Sequence, residues 1–269
     1  MIANARTFCL ALLLIVGVPA LAQPPQTVLL EELTWTELRD AIAAGKSTII
    51  MPIGGTEQNG PAMVLGKHNV RVKLLSEKIA RALGNALVAP VLPYVAEGNI
   101  DPPTAHMRFA GTITVPEPIF EKVVESAARS FRHHGFRDIV LLGDHGGYQK
   151  SLRAVAARLN REWAASGARV HAVPEYYHAT ETAYPQLLKQ RGFSAEEIGT
   201  HAGLADTSLA LAIDPHLVRA DRLHAEPHPG RADGVYGDPR RSSAELGQLG
   251  VNLIVTQTVE AIRKATARR

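Results

Sequence analysis

Two stretches, Thr48 to Ile53 and Asp138 to Leu142, are continuously apolar and rich in β-branched residues, with no alternation of polar and apolar positions. Strands of that kind are buried on both faces, which restricts them to the inside of a parallel sheet covered by helices on each side. The segments between them supply such helices. Thr34 opens one that runs to about Ala44, Glu37 completes a capping box three residues on, and Gly45 closes it. Helical patterning follows from about Val70 to Leu83 and from Glu117 to His134, the second closed by Gly135. Tyr148 to Ala165 and Ser242 to Ala267 read as two more helices, and Ala86 to Val91 and Arg169 to Val173 as short strands. No fixed-period repeat interrupts this alternation. The predicted fold class is α/β, a three-layer α/β/α arrangement with a mainly parallel sheet.

Open sheets of this class bind ligands just beyond the carboxyl ends of their strands. Two loops leave such ends. The first, Pro52 to His68, holds Glu57 and His68; the second, Gly143-Asp144-His145-Gly146-Gly147, places a carboxylate and an imidazole directly after a buried strand. A third stretch, His201 to Ser208, offers His201 and Asp206 at the start of a predicted helix, where Asp206 equally suits a simple N-cap. Each histidine taken alone has a bland reading as a locally hydrogen-bonded loop residue. Imidazoles and carboxylates from three segments, without thiols, together match a hydrolytic Zn²⁺ or Mn²⁺ site with an open position for water.

Residues 1–22 read as a cleavable secretory leader: Arg6 gives the positive start, Phe8 to Val18 the apolar core and Ala20-Leu21-Ala22 the cleavage site. The expected mature chain, residues 23–269, is one hydrolase domain in the periplasm or outside the cell, with no membrane attachment once the leader is removed. An uncleaved anchor is the alternative. The single cysteine, Cys9, lies in the leader, so the mature domain has neither disulfides nor thiolate ligands. A charged fraction of 20% argues against disorder, and a net charge of +3 with scattered basic residues gives no reason to expect a nucleic-acid partner.

Five blocks, in order, resemble the creatininase (creatinine amidohydrolase) family. Gly54 to His68 is similar to its Gly-Ser-x-Glu-Gln-His-Gly-Pro-His loop ending in Asp, and Gly143 to Gln149 to its Asn-Gly-His-Gly-Gly-Asn. His201 to Ser208 matches His-Ala-Gly-x-x-Glu-Thr-Ser, and weaker matches lie at His106 to Thr114 and Gly234 to Arg240. The resemblance implies a metal-dependent hydrolase of small, including cyclic, amide C–N bonds, in a family whose members tend to form homo-oligomers. Relatives act on creatinine, formamides and short peptides.

The departures from the family pattern concern its metals. Glu57, His145 and His201 stand where the resemblance expects them, but Asn59 replaces a ligand His, His68 the Asp that bridges two metals, Gly147 a Glu ligand and Asp206 a Glu. A neutral imidazole ligates one metal only, so one divalent metal per chain is expected, Zn or Mn, held by Glu57, His68 and His145 with Asp206 as a fourth ligand or an orienting partner. His201 is expected to serve as general acid or base, and His106 and Asp144 to contact substrate or support the loops. An inactive periplasmic binding or structural protein on the same fold is the second reading of these substitutions.

Overall fold

The computed structural model describes residues 26–224 and 226–267, so the expected leader lies outside the described residues. In chain order the elements are α1 (Trp35–Ala43), β1 (Thr48–Ile53), α2 (Lys67–Leu83), β2 (Ala86–Val88), α3 (Glu117–His133), β3 (Asp138–Gly143), α4 (Gln149–Glu162) and β4 (Arg169–Ala172). Five further helices follow: α5 (Glu175–His178), α6 (Tyr184–Gln190), α7 (Ala195–Ile198), α8 (Leu204–Ile213) and α9 (Ala244–Thr266). The capping box of α1 forms as its pattern predicts: the Thr34 hydroxyl accepts the Glu37 N–H at 3.3 Å and the Glu37 carboxylate accepts the Thr34 N–H at 2.7 Å.

The four strands pair in parallel in the order β2-β1-β3-β4. Thr48 lies beside Ala86 on one side and Asp138 on the other, and Ile53 beside Gly143. β2 is shorter than its apolar run because Pro90 has no N–H to donate; pairing resumes only as an isolated bridge between Leu92 and Ile53. The pleat sends Ile49, Met51 and Ile53 of β1 toward Phe120 and Val124 of α3 and Leu152 and Val155 of α4. Ile50 points the other way, onto Val72, Leu75 and Ile79 of α2 and Ile254 of α9. The result is the three-layer α/β/α arrangement, in which each fully buried Ile or Leu contributes about 1.5–3 kcal/mol.

Two boundaries differ from the sequence expectation in ways that matter for the site. α2 begins at Lys67, not near Val70, so His68 sits in the first turn of a buried helix instead of on a surface loop. Its first turn is formed by Lys67, His68, Asn69 and Val70, with Arg71 following and no acidic residue among them. The N-cap of α8 is Gly203, which makes Asp206 the third residue of the helix and not its cap.

Candidate active site

β1 and β3 end side by side, and a buried tyrosine holds their outgoing loops together. The Tyr148 hydroxyl accepts the N–H groups of Asp144 and His145, both at 3.1 Å, and lies 2.8 and 2.6 Å from the carbonyls of Ile53 and Gly54. Glu57 from the first loop and Asp144 and His145 from the second are thereby brought to one place. Gly55 leaves room there, since a Cβ on it would lie 2.6 Å from Oε1 of Glu97.

His68 spans two carboxylates, Nδ1 lying 2.6 Å from Oδ2 of Asp144 and Nε2 2.8 Å from Oε1 of Glu57. Both ring nitrogens are engaged. Asp144 is itself buried and receives Arg71 Nε at 2.8 Å and the Tyr176 hydroxyl at 2.6 Å. Burial opposes its charge, yet Arg71, His68 and Tyr176 hold the carboxyl below its ordinary value. Its geometry is that of a group orienting His68 and Arg71. Asp206 is bound by the ammonium of Lys67, by Arg71 Nη1 at 2.7 Å and by the backbone N–H of Ala202 at 3.0 Å. Burial disfavours its charge as well, but Lys67 and Arg71 hold it well below the usual carboxylate range.

The metal set expected from the sequence, Glu57, His68, His145 and Asp206, therefore does not assemble as one cluster. Among the described residues, two groups bring ligand-capable atoms within 4.8 Å of one another: Glu57, His106 and His201, and Glu57, Glu97 and His145. Glu57 and His145 keep their expected place, while His68 and Asp206 are taken up by other side chains because the buried carboxylates and cations around them demand partners. The second group leaves Oε2 of Glu57 and both carboxylate oxygens of Glu97 buried without a hydrogen-bond partner. Two crowded carboxyl groups beside an imidazole are what a divalent cation satisfies, so the donor set fits the metal that the sequence leads one to expect.

Electrostatics follow from this crowding. Burial penalises the charge on Glu57, but His68, His145 and Lys67 together hold its carboxyl far below the ordinary value. Glu97 goes the other way, pushed up to about 9 by burial and by the neighbouring Glu57 charge. Burial lowers His145 to about 3 and His201 to about 4, with His106 also lowered, so these three imidazoles are neutral near pH 7. His201, expected from the sequence to serve as general acid or base, is thus held as a neutral imidazole able to accept a proton.

Gln58 ties two of these rings together. Its side-chain nitrogen is 3.1 Å from Nδ1 of His106 and 3.2 Å from Nε2 of His201, and its carbonyl is 3.0 Å from the same His201 nitrogen. Gly234 admits the Gln58 side chain, adopting φ +78° where a Cβ would lie 2.0 Å from Gln58 Oε1. His106, His145 and His201 line a cavity of about 830 Å³, together with Lys67, Tyr177 and Tyr236. The Gly147 N–H donates to Nδ1 of His145 at 3.1 Å.

Sequence reasoning missed Lys67, Arg71, Gln58 and Glu97. For the first two a signal existed: basic residues in or just after the first turn of a helix oppose its dipole and imply acidic partners elsewhere in the fold. Glu97, in an irregular segment after β2, carries no such mark.

A parallel three-layer α/β domain whose strand ends gather carboxylates and neutral imidazoles around a cavity belongs to the class of α/β proteins built to hold a catalytic cation. Within that class the chain belongs to the creatininase family, whose model, described as creatinine amidohydrolase, matches residues 31–262. It is 29% identical over 203 residues to a creatinine amidohydrolase of Pseudomonas putida, covering 74% of this chain and 76% of that protein. It is 26% identical over 213 residues to a mycofactocin precursor peptide peptidase of Mycobacterium tuberculosis, covering 76% and 73%. A crystal structure of creatinine amidohydrolase superposes with a TM-score of 0.73 at 26% identity over 91% of this chain and all of that one. A solved creatininase named for Mn matches with a TM-score of 0.71 at 27% identity, over 89% of this chain and 99% of its own length.

Proposed function

We propose that this chain is a metal-dependent hydrolase of a small amide C–N bond, acting outside the cytoplasm after loss of its leader. The observation that carries the reading is the set of orphaned carboxylate oxygens on Glu57 and Glu97 beside His145, at the sheet end where ligands bind in this class. Membership of an amidohydrolase family and likeness to the creatinine-hydrolysing relative support it.

Glu57 and His145 would hold the cation, Zn or Mn and one per chain. When bound, such a cation supplies Lewis acidity and makes water a better nucleophile near neutral pH. The chain's own groups do the rest. His201 and His106, neutral and facing Glu57 at 3.8 and 3.3 Å, accept a proton and return it to the leaving nitrogen. Gln58 fixes both rings from behind, and Lys67, paired with Asp206 in the cavity wall, is placed to favour negative charge developing on a carbonyl oxygen bound there.

The test is a screen of the purified, metal-loaded protein against creatinine, other lactams, formamides and short peptides. Hydrolysis abolished by a chelator and restored by Zn²⁺ or Mn²⁺ is the expected result. A compound from this panel that binds the metal-loaded protein tightly and is never cleaved would make the chain a binding protein instead.

A further inference from the structure

We propose that Glu97, which lies outside every family-like block of the sequence, is a metal ligand that completes the cation site with Glu57 and His145. This rests on the reading of the centre as that of a metal-dependent hydrolase.

Glu97 is only 2% exposed, yet among the described residues its carboxylate oxygens have no hydrogen-bond partner except the Glu57 carboxyl group beside them. Leaving one buried polar atom unsatisfied costs about 1–3 kcal/mol, and an anionic group costs more. Here two such oxygens sit beside a third, Oε2 of Glu57, in a protein that satisfies its other buried acids thoroughly: Asp144 has three side-chain partners and Asp206 has Lys67 and Arg71. Among the described residues its ligand-capable neighbours are Glu57 and His145, and His145 Nδ1 is 3.5 Å from Glu97 Oε2 while its Nε2 is 3.3 Å from Glu57 Oε2. Two carboxylates thus flank one imidazole, with all three donors within 4.8 Å, close to the span that one cation gathers with bonds of about 2.0–2.2 Å.

The backbone is arranged to admit Glu97. The lack of a Cβ on Gly55 leaves the space into which Glu97 Oε1 projects, at a distance of 2.6 Å from where that atom would stand. From the other side Gly147 leaves open the ground between His145 and the carbonyl of Ala96, the residue preceding Glu97. The other triad, Glu57, His106 and His201, brings only one carboxylate to its two imidazoles, and Gln58 holds one ring nitrogen of each. Those two rings line the cavity, whereas Glu57 and Glu97 stand behind its wall and only His145 of their group faces the open space. The site therefore separates a cation held from the protein side from a histidine pair presented to substrate.

Stripping the full mature protein with a chelator and titrating it with Co²⁺ tests the assignment, because the visible d–d absorption reports the ligand set without any need for turnover. The unaltered protein should take up one Co²⁺ per chain, and Glu97→Gln should weaken uptake at least a hundredfold and shift the d–d bands. Glu57→Gln should abolish uptake. If the glutamine variant does not fold, as judged by thermal melting, Glu97→Ala takes its place with the same expectation. Unchanged d–d bands in the Glu97 variant, whatever its affinity, overturn the proposal while leaving the hydrolase reading intact, for then Glu97 only orients His145. Failure of the unaltered protein to bind Co²⁺ or Zn²⁺ at all overturns both.

Discussion

Arg71 is the residue on which the charge balance beneath the site turns. Its guanidinium donates through Nε to Asp144 at 2.8 Å and through Nη1 to Asp206 at 2.7 Å, linking the end of β3 to the first turn of α8 from a position in α2. Its charge is opposed by burial but held firmly by those two carboxylates, so its pKa lies above the ordinary arginine value. Arg71→Met removes two charge-assisted bonds worth about 1.5–3 kcal/mol each, partly offset because Asp144 keeps His68 and Tyr176 and Asp206 keeps Lys67. A net loss of about 3–5 kcal/mol follows, which for a domain of this size lowers Tm by roughly 6–20 °C. Arg71→Lys should recover at most half, since a single ammonium cannot reproduce the fork that reaches both acids. Scanning calorimetry in the presence of a chelator, so that metal occupancy does not enter, reads the difference. Both carboxylates have folded pKa values below their ordinary ones, so their stabilisation is complete above the unfolded value and lost as pH falls through the folded one. The gap between the two proteins should therefore be full at pH 7 and narrow as pH drops below about 3.9. A methionine variant melting within about 2 °C of the unaltered protein at pH 7 would refute the view that this bridge holds the three segments together.

Three further outcomes are expected. Gly55→Ala, whose new methyl would meet Glu97 Oε1 at 2.6 Å, should displace that carboxylate and cut metal affinity about tenfold or more, as read by competition with a chromophoric chelator; unaltered affinity would show that Glu97 is not confined by this contact. His201→Gln should leave metal content near that of the unaltered protein and slow turnover on the order of a hundredfold, and normal kcat would remove His201 from the chemistry. Intact-mass measurement of protein from the periplasmic fraction should give a chain starting at or near Gln23, and retention of Met1 to Ala22 on soluble cytoplasmic protein would count against export.

The layering of the fold and most of its elements were legible in the amino-acid sequence, because they depend on local quantities. The unbroken apolar runs of β1 and β3 announce strands with two covered faces, and Thr34 with Glu37 announces the start of α1, since strand burial and capping involve residues a few positions apart. The loops that carry Glu57 and His145 could likewise be placed, because a parallel sheet delivers its strand ends to one edge. Which acid each cation and imidazole satisfies was decided only in three dimensions. Lys67 and Asp206 are 139 positions apart, His68 and Asp144 76, and Gln58 and His201 143, and no periodicity links such pairs. Burial makes an unpaired charge so costly that the tertiary structure assigns partners by proximity. His68 and Asp206, ligand types by residue identity, are consumed in this way, and Glu97, which nothing nearby in the chain distinguishes, is left among the described acids with its buried oxygens facing only another carboxyl group.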